Sequence, residues 1–323
     1  MSNLNKILIV VLALQLGVTA FAFWPQPAAQ AGGPLLANMS AVNVTKLTIH
    51  DSDGNSITLA KNGNDWVLPD AGNFPVQADK VLALLNKIEG ITANRLVTQT
   101  EASHSRLKVG QSDYDRLIEL QLADGTAHKL YVGSSAGAGA THVRADDQPA
   151  VYLTDLNTFE VNAQAAGWID TQVVNIPRDD VTGVKLENSN GTVEFKKEGD
   201  SWTMAGLAEG EVLNQDALNS LLNSAVSLRM NAPVGQTAPA EAGFDKPLAV
   251  ATLTYSSTNT LTLDVGAKSG ENLYYLKSSD SPYYVTVAAV TGDTFVNKTR
   301  ADFLQQPPAE STPADTPPPA AGQ

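Results

Sequence analysis

The residue pattern that comes nearest to a catalytic motif in this chain surrounds one serine. Ser135 lies at the centre of Gly133-Ser134-Ser135-Ala136-Gly137. This is the G-x-S-x-G pattern that, in many hydrolases, projects a nucleophile from a strand-to-helix turn. Here a second strand-like run follows at His142, and no helical pattern is present. The sequence therefore favours a hairpin loop, and a serine hydrolase is kept as the least favoured alternative.

Two other groups of residues resemble metal ligands. Asp51, Asp53 and Asn55 look like the start of a calcium loop, but such a loop needs glycine at its sixth position and glutamate at its twelfth. The glycine here, Gly54, stands fourth, so a hairpin turn is the better interpretation. The histidines show no metal-ligand spacing; they are His50, His104, His128 and His142. We predict no catalytic residue, no metal ligand and no cofactor.

Aromatic side chains offer one candidate binding surface. Trp66, Trp202, Tyr274 and Tyr283 occupy strand-like positions and could line a surface for a glycan or a peptide. Aromatic residues at this spacing more often form cross-strand pairs inside a core. The binding surface therefore stays open as the second interpretation.

Composition limits the classes of partner. The chain has 323 residues, enough for about two domains, and a formal net charge of −13. An acidic surface repels nucleic acid, which we exclude as a partner. There is no cysteine, which excludes disulfides, thiolate metal sites and a thiol nucleophile.

The elements that must position these residues occur twice. Each copy begins with two alternating runs around an Asp-Gly or Asn-Gly turn and continues to a tryptophan, first in 44–66 and again in 181–202. A helical pattern follows in 78–86 and 215–223, with apolar residues on one face. Strand-like runs close each copy, and a glycine after the middle run recurs as Gly133 and Gly266.

This repetition predicts an α+β fold with two tandem copies of one module. In each copy, a mostly antiparallel sheet is covered by one amphipathic helix, and an N-terminal transmembrane helix precedes both. The predicted domains are a signal anchor in 1–24, a linker in 25–41, modules in 42–176 and 177–304, and a disordered Pro/Ala-rich tail in 305–323.

The N-terminus has the pattern of a membrane signal. An apolar run of about 18 residues is long enough for a short transmembrane helix. The residues that define it are Lys6, Ile7, Leu8, Ile9, Val10, Val11, Leu12, Phe23 and Trp24. We predict a single-pass protein of the bacterial inner membrane, with a cytoplasmic N-terminus, a periplasmic body and lipid around the helix. Cleavage after small residues, which would release a periplasmic protein, stays open as the alternative.

The repeated elements, the connector Trp168 to Ile176 and the run Gly243-Phe244-Asp245-Lys246-Pro247 together resemble the DUF 4340 family of uncharacterised function. The first copy lacks the glycine and the proline of that run near Arg106-Leu107-Lys108. The resemblance implies an N-terminally anchored bacterial envelope protein, and it provides no catalytic residues to transfer.

These observations lead to three hypotheses of function. The leading one, which the resemblance supports, is a non-enzymatic, membrane-tethered periplasmic protein. It would be an accessory or scaffold subunit that contacts an integral membrane protein, such as part of a gliding-type ABC transporter. The second is a periplasmic glycan- or peptide-binding module that uses the junction of the two copies. The third is the serine hydrolase.

Overall fold

A computed structural model of the chain describes Gln15, residues 32–256 and residues 258–305. These residues form 19 strands and three α-helices, so the described part is mostly β. The predicted α+β class is wrong. Its error has a physical cause: short segments without clear alternation, such as Leu96–Thr98 and Ala232–Gly235, join the sheets through backbone hydrogen bonds.

The strands are numbered in chain order. They are β1 (Val44–Asp51), β2 (Ser56–Asn62), β3 (Asp65–Leu68), β4 (Phe74–Pro75), β5 (Leu96–Thr98), β6 (Arg116–Leu122), β7 (Ala127–Gly137), β8 (Ala140–Ala145), β9 (Val151–Thr154), β10 (Gln172–Asn175), β11 (Val181–Asn188), β12 (Gly191–Glu198), β13 (Ser201–Met204), β14 (Ser227–Arg229), β15 (Ala232–Gly235), β16 (Ala249–Tyr255), β17 (Asn259–Lys268), β18 (Leu273–Ser278) and β19 (Tyr284–Ala288). The α-helices are α1 (Ala78–Glu89), α2 (Gln215–Val226) and α3 (Ala289–Val296). Short 3-10 helices cover Ala41–Asn43, Pro69–Ala71, Glu101–Ser103, Ala165–Gly167, Arg178–Asp180, Ala240–Ala242 and Arg300–Phe303.

The described residues fall into two compact units. The first contains residues 32–66 and 77–168, and the second contains residues 67–76 and 169–305. A nine-stranded sheet has the order β4-β3-β2-β1-β6-β7-β8-β9-β5, and an eight-stranded sheet has the order β13-β12-β11-β16-β17-β18-β19-β15. Apart from β4, the strands of the two sheets correspond one to one in this order. A small sheet pairs β10 with β14.

Alternation along the strands of the first unit separates an inner from an outer face. In β1, Leu47 and Ile49 are fully buried, whereas Lys46 is exposed and Thr48 is half-buried. In β6, Ile118 is buried while Glu119 is half-buried, so the same alternation continues in the neighbouring strand. Successive side chains of a strand point to opposite faces of the sheet. The apolar side chains therefore point into the core, and the charged ones lie on the outer face. The charged side chains of the first sheet therefore take no part in the packing of the core.

The helices α1 and α2 bury the residues whose spacing predicted a helix. In α1 these are Val81, Leu84, Leu85 and Ile88. In α2 they are Leu218, Leu221, Leu222 and Ala225, joined by Val226. Helix α2 is capped by Asn214, whose side-chain oxygen accepts hydrogen bonds from the backbone N–H groups of Asp216 and Ala217 at 3.1 and 3.2 Å. The apolar stripe of each helix is thus part of a core.

An ion pair holds the end of the second unit. The Arg300 guanidinium donates from Nη1 to Glu211 Oε1 at 2.9 Å and from Nη2 to Glu211 Oε2 and to the carbonyl oxygen of Gly206. The hydrogen bond from Arg300, helped by one from the backbone N–H of Ala208, lowers the pKa of Glu211 from 4.5 to about 2. The paired carboxylate is therefore ionised in the folded protein at pH values where it would be protonated in the unfolded chain.

Replacement of Glu211 by glutamine should make the free energy of unfolding depend less on pH in acid solution. The folded pKa lies below the unfolded value, so the carboxylate stabilises the fold above pH 4.5 and loses this contribution as the pH falls toward about 2. Urea unfolding midpoints of the wild type and Glu211→Gln should differ most at neutral pH and converge in acid. A difference that stays constant across this window would contradict the prediction.

Among the described residues, no helix is long and apolar enough to cross a membrane. This finding contradicts the predicted transmembrane helix and the predicted single-pass placement in the inner membrane. Apart from Gln15, the segment on which that prediction was based, residues 1–24, lies outside the described residues. Residues 306–323 of the predicted disordered tail also lie outside them.

Candidate ligand-binding face of the first sheet

A cavity of about 490 Å³ opens on the first sheet, and half of the residues that line it are charged. Its wall comes from β1, β6, the start of β7 and the turn after β8. We define the charged face as the polar residues Lys46, Thr48, Glu119, Gln121, Lys129, Asp146 and Asp147, which line this cavity together with His128, Leu120 and Ala127. The strand register explains the grouping, because Thr48 pairs with Glu119 and Glu119 pairs with Lys129 across β1, β6 and β7.

The centre of the charged face is an ion-paired carboxylate. Lys129 Nζ lies 3.0 Å from Glu119 Oε1, and His50 Nε2 lies 3.5 Å from Glu119 Oε2. Partial burial acts to raise the pKa of Glu119, but the hydrogen bonds and charges of Lys129 and His50 outweigh it and hold that pKa below its usual value. The same contact raises the pKa of Lys129. Both groups therefore stay charged across the neutral range.

A histidine–aspartate pair closes one end of the cavity. His128 is 8% exposed, and its Nδ1 lies 3.2 Å from Asp146 Oδ2. The other oxygen of Asp146 accepts a hydrogen bond from the backbone N–H of Lys129 at 2.8 Å. His128 Nε2 is buried and has no hydrogen-bond partner. A buried nitrogen without a partner costs free energy, which offsets part of what the contact with Asp146 contributes.

Arg144 supports the turn that carries the two aspartates. This buried guanidinium donates from Nη1 to the carbonyl oxygen of Asp146 at 2.7 Å and from Nε to that of Val109 at 2.7 Å. It also lies 4.1 Å from the centre of the Tyr131 ring, a cation–π distance. Asp146 adopts a left-handed conformation, with φ +46°, that non-glycine residues rarely take. The turn is therefore held in one shape by its contacts.

The second sheet has the same backbone arrangement without these side chains. Leu261 pairs with Leu253 as His128 pairs with Leu120, and Leu261 is 2% exposed. Ser279 takes the place of Asp146, since its Oγ accepts a hydrogen bond from the backbone N–H of Thr262 at 3.1 Å. The sheet therefore folds at this place with leucine and serine, and the histidine–aspartate pair belongs to the first unit only.

Replacement of His128 by leucine should stabilise the protein by about 1 kcal/mol, because the substitution removes a buried nitrogen that has no partner. The second sheet shows that leucine fits this place in the register. Urea denaturation of wild type and His128→Leu measures the change. A loss of stability would contradict the prediction and would mean that the histidine contributes more through Asp146 than its free nitrogen costs.

The serine at the centre of the motif has no hydrogen bond to a histidine of the described residues. Ser135 is exposed near the end of β7, and its Oγ accepts a hydrogen bond from the backbone N–H of Gly137 at 3.3 Å. The nearest serine–histidine contact involves Ser134, whose Oγ lies 3.2 Å from His142 Nδ1. That nitrogen also lies 2.7 Å from the carbonyl oxygen of Ser134. A carbonyl only accepts, so Nδ1 carries the proton and cannot act as the base for this hydroxyl.

The aspartates that resembled a calcium loop are used within their own turn. Asp51 Oδ1 accepts hydrogen bonds from the backbone N–H groups of Asp53 and Asn55 at 3.0 and 2.8 Å. Its Oδ2 accepts one from Asn55 Nδ2 at 2.9 Å. In the described part of the chain, no group of three or more His, Asp or Glu residues could hold a metal ion.

The four candidate aromatic residues are placed in different surroundings. In the first unit, Trp66 is 3% exposed. In the second, Tyr274 is 3% exposed and donates its hydroxyl to Asp293 at 2.9 Å. Trp202 is half-buried on β13, and half-buried Tyr283 packs edge-on against Phe74 with ring centres 4.7 Å apart. Trp66 and Tyr274 therefore have little surface for a ligand.

Sequence reasoning missed the charged face. A signal was present in the alternation of charged or polar residues in β1, β6 and β7. The second unit has Thr252 and Thr262 at the positions that correspond to Glu119 and Lys129. Recognising it needed the strand register, which places Glu119 and Lys129 opposite each other.

Comparison with known proteins identifies the family. No curated protein matches the chain, and no solved structure does. The model of one family, described as a domain of unknown function, matches residues 66–247, more than half of the chain. The chain therefore belongs to the DUF4340 family.

Proposed function

We propose that this chain is a non-enzymatic accessory protein that binds a protein partner through the charged face. The observation that carries the proposal is the open cavity of about 490 Å³, whose wall is charged and contains no Phe, Tyr or Trp side chain. Protein–protein contacts use such polar surfaces for orientation and partner choice. A subunit of a larger assembly, such as a transporter of the gliding type, is the partner class that the family resemblance suggests.

Two features support a binding role over a catalytic one. Glu119 and Lys129 neutralise each other, and the Asp146 carboxylate is occupied by His128 and a backbone N–H. No hydroxyl of the charged face lies within hydrogen-bond distance of His128 Nε2, the ring nitrogen that Asp146 leaves free. The groups can therefore orient a partner by charge and hydrogen bonding.

We also propose that the two units are copies of one module. The support is the corresponding strand order of the two sheets and the recurrence of details such as Gly133 and Gly266. On this view the parts that both units share form the scaffold. Residues found in one unit only, such as His128 and Asp146, give that unit a role of its own.

Photo-crosslinking in the cells that make the protein tests the binding role. A photoreactive amino acid in place of Gln121, which is exposed on the charged face, should capture one partner protein. The same amino acid in place of Thr254, at the corresponding position of the second sheet, is the matched control. Capture should fall when Lys46→Glu is added. Equal capture at both positions, or capture that Lys46→Glu leaves unchanged, would argue against the proposal.

A further inference from the structure

We infer that the charged face binds an extended protein segment that carries an acidic and a basic side chain roughly 14 Å apart, three inter-strand spacings. This inference rests on the proposed function and names the chemistry of the partner. The charges of the face are not mixed at random: they form a positive end, a neutral middle and a negative end, in the order of the strands.

The positive end is Lys46 on β1. This side chain is exposed and forms no ion pair with any described residue. An ammonium group without a partner at the edge of a cavity is available to a carboxylate of a ligand.

The negative end is the turn after β8. Asp147 is exposed, and its carboxylate accepts a single long hydrogen bond, from Gln111 Nε2 at 3.4 Å. Asp146 adds a second carboxylate beside it, already held by His128 and Lys129. Asp147 forms no close ion pair with a described residue, although Lys129 is near enough to interact with its charge, and Asp146 strengthens the negative potential there.

The middle is neutral because its charges cancel. Glu119 and Lys129 are paired at 3.0 Å, so neither presents a full charge to a ligand. The Gln121 side chain, beside them on β6, has no hydrogen bond to any described residue and can bond to a peptide group. The face is therefore a dipole across the strands β1, β6, β7 and β8.

Other ligand classes fit this dipole less well. A polyanion such as nucleic acid would meet Asp146 and Asp147, and a polycation would meet Lys46. A glycan or a base would find no Phe, Tyr or Trp ring to stack on, and the one imidazole in the wall, that of His128, is 8% exposed. A protein segment that carries both charges avoids this repulsion, because its acidic residue can lie at Lys46 and its basic residue at Asp147.

The rise per residue of an extended chain determines how many positions must separate the acidic and the basic residue of the segment. Each residue advances about 3.3 Å and every second side chain points to the same side. An acidic residue and the fourth residue after it therefore point to one side about 13 Å apart. This matches the separation of Lys46 and Asp147 across the three inter-strand spacings between β1 and β8.

Selection of random peptides displayed on phage against the full chain tests the inference. We expect enriched peptides to contain an acidic and a basic residue four positions apart. Their binding should fall by about tenfold or more in the charge-swapped variant Lys46→Glu with Asp147→Lys, since each favourable contact becomes repulsive. It should also fall as salt is added.

The matched control swaps charges on the other sheet. Lys185→Glu with Asp280→Lys makes the same change of charge on β11 and after β18 of the second unit, and it should leave peptide binding unchanged. Circular dichroism of both variants checks folding. The inference is overturned if no peptide is enriched, if enriched peptides lack the charge pair, or if both swaps act alike. Crosslinking at Gln121 that succeeds while the selection fails would retain the binding role and reject the charge pattern.

Discussion

Gly133→Ala should lower the free energy of unfolding by about 3 kcal/mol, the range expected when a close-packed site must accept an extra methyl group. A Cβ atom at this position would lie 2.1 Å from the carbonyl oxygen of Leu107 and 2.6 Å from that of Lys108. Both are backbone atoms, so a side-chain rotation cannot relieve the overlap.

The contact is part of a junction that both units contain. The backbone N–H of Ser134 donates to the Leu107 carbonyl at 3.0 Å, which fixes the approach of the loop before β6 to β7. In the second unit a Cβ atom on Gly266 would lie 2.3 Å from the carbonyl oxygen of Ala242. We therefore expect Gly266→Ala to lower the free energy of unfolding by a similar amount.

Urea denaturation with matched alanine variants provides the measurement. Gly33→Ala is the control, because its Cβ would enter open space and its backbone needs no left-handed conformation. It should change stability by less than about 0.5 kcal/mol, as is usual for surface substitutions. If Gly133→Ala changed stability as little as this control, the loop before β6 would have to lie further from β7 in solution than it does in the structure.

These glycines show what a sequence can and cannot reveal. Their recurrence at Gly133 and Gly266 was visible as a pattern, whereas the reason, a backbone carbonyl of a distant loop, needs the packed structure. The same junction shows how the first unit does without the glycine of Gly243. Lys108 lies where the second unit has Gly243 and adopts the same left-handed conformation, with φ +58° against +70°. The loop shape is kept although the glycine is absent.

Local patterns predicted the helices α1 and α2 but neither α3 nor the class of the fold. The faces of α1 and α2 follow from the spacing of leucines, because a helix repeats every 3.6 residues. Strands β5 and β15 are three and four residues long, too short to show alternation, and they are strands only because β9 and β19 offer them hydrogen bonds. Their pairing depends on the rest of the sheet, so a local reading could not find them.

The candidate site escaped prediction for a related reason. Histidines were tested for metal spacing, and His128 fails that test. Its role depends on Asp146, which lies 18 positions away and is brought near by the pairing of β7 with β8. Contacts of this kind are set by strand register, which the sequence specifies only through the whole hydrophobic pattern.

Phe303→Ala should destabilise the protein by about 3 to 5 kcal/mol, the usual range for a fully buried phenylalanine. Phe303 is 0% exposed, and its ring meets that of Phe195 edge-on, with centres 4.9 Å apart. The substitution loses this aromatic contact as well as the buried area, and it leaves a cavity beside β12.

The position of Phe303 in the chain explains why the loss should extend beyond one side chain. Its carbonyl oxygen accepts a hydrogen bond from the backbone N–H of Asn214 at 2.8 Å, and Leu304 forms a β-bridge with Leu213. The ring thus anchors the segment that holds the start of α2, where Asn214 is the cap. Hydrogen exchange at Asn214 should quicken in Phe303→Ala. Phe159→Ala removes an equal side chain that is 92% exposed and should change stability by less than about 0.5 kcal/mol. Equal losses in the two variants would contradict the assignment of Phe303 to the core.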